Sequence, residues 1–267
     1  MKNNIFLPVF IACFLLLTGC SQLATDNGPS AKAATQILKV GISTNSPPMA
    51  YRSKGDITGL EAELARGLAQ FSGKQLKFIP LKWKDQIPSL LAGKTDIIMS
   101  AMTITPARQY RVAFSKPYMA TGQISLVRRR QKNKFSNGLA SLLNQKVKVG
   151  TIKGTTGDLL IEQSKAKGKR RQFVSSQKAV QALRDKEIDA FVYDLPGNLY
   201  YGSMYADKGL FPIMQPMTRE QIAWAVRKED TQLLHTANSY LATNQQNGSL
   251  QKMIEHWVPF YKNLYNR

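Results

Sequence analysis

The sequence predicts a mixed α/β protein built as two lobes, and three observations carry that expectation. Short apolar runs alternate with amphipathic stretches along most of the chain, and the same order of elements occurs twice. In addition, 43% of the 267 residues are hydrophobic, enough for two ordinary cores. The charge balance is unusual, with 37 Lys and Arg against 17 Asp and Glu for a formal net charge of +20. Such an excess raises nucleic acid as a partner, but it is spread along the chain. Only two dense spots stand out, Arg128-Arg129-Arg130 with Lys132 and Lys134, and Lys165-Lys167-Lys169-Arg170-Arg171. Dispersed charge describes solvated faces better than a binding footprint.

The first element is an export signal. Lys2 precedes an apolar run from Ile5 to Leu17, which is too short to span a bilayer as a helix. The run ends in Leu17-Thr18-Gly19-Cys20, which resembles a bacterial lipobox. That resemblance implies cleavage after residue 19 and a lipid anchor on Cys20, so the protein is expected outside the cytoplasm, where genomic DNA is no partner. The 20–35 stretch, rich in Ala, Ser and Thr, reads as a flexible tether. Cys13 and Cys20 are the only cysteines, too few for a disulfide framework and without partners at metal-ligand spacing.

From residue 37 the folded body begins. A strand is expected over 37–42, followed by a helix on which Leu60, Leu64, Leu68 and Phe71 recur at helical spacing until Gly73 stops it. Strand 76–79, a short helix over 85–91 and strand 96–100 complete the first series. A second series follows: strands 124–128 and 147–150, a helix from Thr155, strand 173–174, helix 177–186, strand 190–193 and a helix from Pro196. The tail supplies strand 222–226 and helices near 231–247 and 249–257. Alternation of this kind argues for largely parallel sheets with helices on both faces, and for a ligand beyond the carboxyl ends of the strands.

Four strand ends carry chemistry. After the third strand, Thr105 can cap a helix that starts at Pro106, which puts Arg108 on its first turn. A guanidinium there suits a carboxylate bidentately, although a lone arginine on a short helix is ordinarily just solvated. Gly154-Thr155-Thr156-Gly157 opens a helix after strand 147–150, and its amides and hydroxyls suit an anion; a plain turn reads equally well. Asp194 closes strand 190–193, where it could hold an ammonium or simply cap the helix at Pro196. Trp83 offers a broad apolar face over a small ligand, or a core aromatic. Taken together these groups suit a zwitterion.

The order and spacing also resemble a known family. The residues that carry the resemblance are Lys39-Val40-Gly41 with Pro47-Pro48, Thr58-Gly59-Leu60-Glu61, Trp83 with Ile87-Pro88-Ser89-Leu90, and Gly93-Lys94-Thr95-Asp96-Ile97-Ile98. They continue in Met102-Thr103-Ile104-Thr105 with Arg108, Phe114-Ser115-Lys116-Pro117-Tyr118, Gly154-Thr155-Thr156, Asp189-Ala190 with Asp194, and Gly248-Ser249-Leu250 before Trp257. Over residues 37–261 the chain is similar to the family-3 solute-binding proteins that serve ABC transporters with polar amino acids.

The resemblance implies a type II periplasmic-binding-protein fold, a Venus-flytrap with two crossing hinge segments near 118–122 and 218–222. Lobe 1 would comprise 36–118 and 222–267, and lobe 2 would comprise 119–221. Arg108 and Thr156, beside Thr155, would clamp an α-carboxylate. Asp194, the backbone of Ala101 and the hydroxyl of Thr103 would take the α-ammonium, with Trp83 stacked over the side chain. Ser43 stands where many members have an acid for cationic side chains, Ser46 where they often have an aromatic, and Met49 where a Phe is usual. These departures favour a polar or acidic amino acid over Lys, Arg or His. The implied partner is an ABC permease; the protein is expected as a monomer without cofactor or metal.

Two other functions compete. A flytrap of this kind can report its ligand to a partner protein instead of a permease. The fold is also similar to that of some exported dehydratases, yet His235 and His256 fall in the C-terminal helices, away from every strand end. Asp194 is the only acid placed in the cleft, and no Ser-His-Asp order or phosphate loop is present, so an enzyme is not expected.

Overall fold

The computed structural model describes residues 36–166, 169–259 and 261. The expected signal at 1–19, Cys20 and the tether at 20–35 lie outside the described residues. No described helix is long and apolar enough to cross a membrane.

The chain opens with β1 (Ile37–Ile42), then a small antiparallel three-stranded sheet of β2 (Asn45–Ser46), β3 (Ala50–Ser53) and β4 (Asp56–Thr58). Strands this short carry no alternation that a sequence can show. Helix α1 (Leu60–Phe71) buries Leu60, Leu64, Ala65, Leu68 and Ala69 on one face and starts with Glu61 and Glu63 in its first turn, where acids complement the helix dipole. Gly59 before it has φ of 113°, and a Cβ there would stand 2.5 Å from the Met49 carbonyl oxygen. Only glycine admits that close entry.

Next come β5 (Gln75–Pro80), a single 3₁₀ turn Trp83–Asp85, α2 (Gln86–Leu91), β6 (Ile97–Thr103) and the short α3 (Pro106–Gln109). After β7 (Ala113–Phe114) and β8 (Met119–Thr121), the chain enters a second sheet with β9 (Gln123–Arg128). A 3₁₀ stretch Arg129–Phe135 and α4 (Leu139–Leu142) lead to β10 (Val149–Ile152), α5 (Thr156–Gln163), β11 (Arg170–Phe173) and α6 (Ser176–Arg184). The second sheet is completed by β12 (Ala190–Asp194), α7 (Leu195–Met204) and β13 (Leu210–Ile213). The chain then returns through β14 (Glu220–Val226) and ends in α8 (Thr231–Gln246) and α9 (Ser249–Trp257).

The first sheet runs β5-β1-β6-β14-β7 with β8 also on β14, and the second runs β11-β10-β12-β9-β13. The fold is the two-lobed flytrap, with one correction: the sheets are mixed rather than largely parallel. β1 lies parallel to β5 and β6, and β10 to β11 and β12, whereas β14 and β9 are antiparallel to their neighbours. The physical reason is that β9 and β14 each enter their sheet directly from the other lobe, without the helical crossover that makes a parallel neighbour. The edge strand expected at 173–174 instead spans Arg170–Phe173, and Val174 lies beyond it, 74% exposed. The strand expected at 147–150 is shifted to Val149–Ile152.

The two crossings are hydrogen-bonded to one another. Glu220, Gln221 and Ile222 pair with Thr121, Ala120 and Met119. Gly122 sits where a Cβ would collide with the Thr218 carbonyl oxygen, so a larger residue would push the crossings apart. Trp224, fully buried, packs with Leu64, Tyr118 and Tyr240 in the core of the first lobe. The second sheet has a core on each face, one around Phe191 and Leu183 and the other around Phe135, Val149 and Ile161.

Candidate functional site

All nine residues singled out for a ligand, Ser43, Ser46, Trp83, Ala101, Thr103, Arg108, Thr155, Thr156 and Asp194, line one cavity between the lobes. Its volume is about 40 Å³, room for about three waters. A larger ligand therefore needs the lobes to separate.

Arg108 is placed by the end of β6 and the start of α3. The Thr105 hydroxyl accepts from the Arg108 backbone N–H at 3.3 Å, and the guanidinium Nη1 donates to the Thr103 carbonyl at 2.8 Å. The guanidinium lies 5.1 Å from the centre of a Trp83 ring, a cation–π stack. In this closed arrangement Trp83 thus covers the arginine. Burial disfavours the charge on Arg108, and the carboxylates of Asp194 and Glu220 oppose that effect.

On the opposite lobe, Thr155 caps α5: its hydroxyl accepts from the Asp158 N–H at 3.4 Å and donates to the Ile152 carbonyl at 2.8 Å. Asp158 is buried and accepts from Thr151, the Gly154 N–H, Gln172 and Arg170. Burial alone would raise its pKa, but these donors and the Arg170 charge outweigh it and hold the carboxyl below its ordinary value. The 154–156 turn is therefore fixed from beneath by an ionised aspartate.

Asp194 stands at the N-cap of α7 but makes no capping hydrogen bond. Its Oδ1 instead accepts from Gln123 Nε2 at 2.5 Å. Burial first, then the neighbouring Glu220 charge, push its pKa to about 7, against the Gln123 bond and Arg108, which lower it.

Ala101 adopts φ of 52°, inside a bulge of β6 opposite Trp224. A left-handed alanine costs roughly 1–2 kcal/mol. The Glu61 carboxylate fixes this bulge: it accepts from the Ala101 N–H at 2.5 Å, the Tyr118 hydroxyl at 2.7 Å and the Trp224 indole at 3.0 Å. Burial pushes Glu61 to about 7 despite these three donors. The Ala101 N–H is thus committed to Glu61.

The two serines are tied into the protein. Ser43 is 3% exposed and its hydroxyl accepts from Gln86 at 3.0 Å, while Ser46 accepts from the Tyr193 hydroxyl across the cleft at 3.2 Å. Tyr193 and Ser176, whose hydroxyl donates to the Asn45 carbonyl at 2.9 Å, are further cross-lobe links that sequence reasoning missed.

The most consequential omission is Glu220. Its Oε2 accepts from Thr103 of the first lobe and from Thr156 of the second, both at 2.8 Å. Its Oε1 accepts from Thr218 at 2.6 Å and Gln123 at 3.2 Å. Both hydroxyls expected to meet a ligand thus already converge on one carboxylate at the crossing. No sequence signal marked it, because Glu220 lies in a stretch that read only as a hinge. Among the described residues no group of three or more His, Cys, Asp or Glu is placed to hold a metal.

Comparison with known proteins gives a consistent picture. Residues 38–260 match the bacterial extracellular solute-binding proteins, family 3. A probable histidine-binding protein of Campylobacter jejuni is 33% identical over 71% of this chain and 73% of its own length. The L-cystine-binding protein TcyJ of Escherichia coli is 28% identical over 82% of each chain. Among solved structures, an ancestral amino acid-binding protein described as a precursor of cyclohexadienyl dehydratase superposes with a TM-score of 0.76 at 34% identity, over 83% of this chain and 95% of that one. A putative ABC-transporter binding component from Wolinella succinogenes, complexed with lysine, gives 0.78 at 29% identity, over 84% of this chain and 96% of that one.

Proposed function

Because this chain belongs to the bacterial extracellular solute-binding proteins, family 3, we propose that it captures one α-amino acid between its lobes and delivers it to an ABC permease. The observation that carries this reading is the meeting of Arg108 from the first lobe and Asp194 from the second in one cavity. Arg108 with Thr156 and the amides that open α5 suits the α-carboxylate; Asp194 with the Ala101 carbonyl suits the α-ammonium. Because these groups lie on different lobes, a bound zwitterion favours the closed state by as much as it prefers it, and the permease would read that closure.

Glu220 bears on the substrate. Its charge, held behind Thr103 and Thr156, adds to that of Asp194 near Arg108, which disfavours an acidic amino acid and shifts the expectation drawn from Ser43 and Ser46 towards a neutral or cationic one. Relatives named for histidine and cystine agree with that direction. The lipid on Cys20, the monomeric state and the position outside the cytoplasm belong to the same proposal. Calorimetry against the twenty amino acids tests it: at least one neutral or cationic amino acid binds, and absence of binding by all twenty overturns it.

A second reading is favoured by one likeness, to the ancestral binding protein described as a precursor of cyclohexadienyl dehydratase, with Asp194, whose pKa burial raises, as the candidate general acid. It is a dehydratase-like activity on the same fold. Turnover of a bound compound, followed by mass spectrometry, would support it; recovery of every bound ligand unchanged would exclude it.

A further inference from the structure

An accumulation of unbalanced charge outside the cleft lies in a groove at the far end of the second sheet, about one strand length, roughly 20 Å, from the hinge. Three separate stretches of chain converge there: Arg128 to Arg130 after β9, Arg184 to Lys186 after α6, and Lys208 before β13, around a volume of about 740 Å³. Arg128 is consumed structurally. It donates to the carbonyls of Leu183 and Ile188 and pairs with Asp189 at 2.9 Å, which ties the end of α6 to the sheet.

The other five cations, Arg129, Arg130, Arg184, Lys186 and Lys208, make no ion pair among the described residues. The single acid lining the groove, Asp185, is engaged by the Gln181 amide. The carboxyl end of α6 supplies about half a negative charge, so more than three positive charges stay uncompensated. Three of the cations are also held in place by rings: Arg184 lies 4.8 Å from the Tyr205 centroid, Lys208 5.8 Å from the same ring, and Arg129 5.3 Å from Phe211. Stacking of this kind orders long side chains before any partner arrives and lowers the entropy cost of binding.

We propose that this groove is a binding site for phosphate-bearing anions. Guanidinium forks match phosphate oxygens bidentately, and the concave arrangement of cations from three chain segments lets several of them meet one such group. The phosphate could belong to a soluble anion or to an anionic lipid headgroup.

The experiment compares the full chain with two triple variants of equal charge change. One is Arg129→Gln with Arg130→Gln and Arg184→Gln, which leaves Arg128 in place; the other is Lys77→Gln with Lys94→Gln and Lys252→Gln, three exposed lysines of the first lobe. Each is measured against inorganic pyrophosphate by calorimetry and against phosphatidylcholine vesicles doped with phosphatidylglycerol by sedimentation, at one ionic strength. Thermal melts check that both variants fold. The groove variant is expected to lose about a hundredfold in affinity, a factor of about five for each charge, while the lysine variant stays within about threefold of the parent. Loss confined to pyrophosphate assigns a soluble anion, and loss confined to vesicles assigns the headgroup. Equal losses in the two variants, or binding of neither probe by the parent chain, overturn the proposal.

Discussion

The indole N–H of Trp83 donates to the carbonyl of Gly154 at 3.0 Å, a bond from one lobe to the turn that opens the helix of the other. The same indole covers Arg108, so one side chain both shields the expected anion site and fastens the cleft.

Trp83→Phe keeps the ring and removes this bond. A neutral hydrogen bond contributes about 0.5–1.5 kcal/mol, so the closed-to-open ratio of the free protein should fall roughly two- to tenfold. Fluorescence transfer between dyes on the two lobes measures it. An unchanged distance distribution would show that Trp83 does not hold the lobes together.

Arg108→Ala and Asp194→Ala should each weaken amino-acid binding by about 2–5 kcal/mol, because each leaves an opposite charge unpaired in the closed cleft. Calorimetry reads the loss. Parent-like affinity in both variants would remove these residues from the site.

Affinity should also depend on pH. An ammonium requires Asp194 ionised, and the free cleft holds its pKa at about 7. Binding is therefore level above about pH 7 and weakens below it, by up to about tenfold per unit. Glu220→Gln removes a repelling charge and should move the midpoint down. Folding stability runs the opposite way: the native carboxyl holds its proton more tightly than an unfolded one, with an ordinary value of 3.8. This group thus favours the fold at low pH, and that contribution is lost as pH rises from about 4 through 7. Asp194→Asn should flatten this part of the melting-temperature profile; a profile that keeps its slope would contradict the assignment.

Glu61→Gln leaves at least one of three donors, the Ala101 N–H, the Tyr118 hydroxyl or the Trp224 indole, without its acceptor. The expected cost is about 1–3 kcal/mol in denaturant unfolding. Ala101→Gly, by contrast, relieves the left-handed strain at the same bulge and should be stabilising by up to about 1 kcal/mol. Parent-like stability of Glu61→Gln would show that the bulge is not held by Glu61, and a loss in Ala101→Gly would contradict the strain at Ala101.

The contrast between Arg108 and Glu220 shows what the sequence could and could not convey. Arg108 follows a strand, a capping threonine and a helix-starting proline, all within a few residues, so its place was legible locally. Thr155 and Asp194 were legible for the same reason, as strand ends next to a helix start. Glu220 and Glu61 acquire their meaning from partners on other segments, Thr103 and Thr156 for one, Ala101 and Trp224 for the other. Neither periodicity nor composition encodes such meetings. The fold class followed from alternation of strands and helices, but antiparallel β9 and β14 did not, because strand direction depends on where the chain crosses between lobes. The serines at 43 and 46 stand where the resemblance implies contacts to a ligand side chain, whereas here Gln86 and Tyr193 engage them.

The pairing of Glu220–Val226 with β6 in the first sheet also sets an order of assembly. Strand β6 ends at Thr103, so during synthesis its partner emerges only after every strand of the second lobe is complete. The second lobe can reach its native contacts as a contiguous unit, while the first waits with one edge of β6 unpaired. Such long-range closure is slow and leaves that edge open to wrong pairing. Delayed release of the final segment should therefore expose the strand that carries Ala101 and Thr103, and a chaperone that shields unfolded chains would protect the first lobe more than the second.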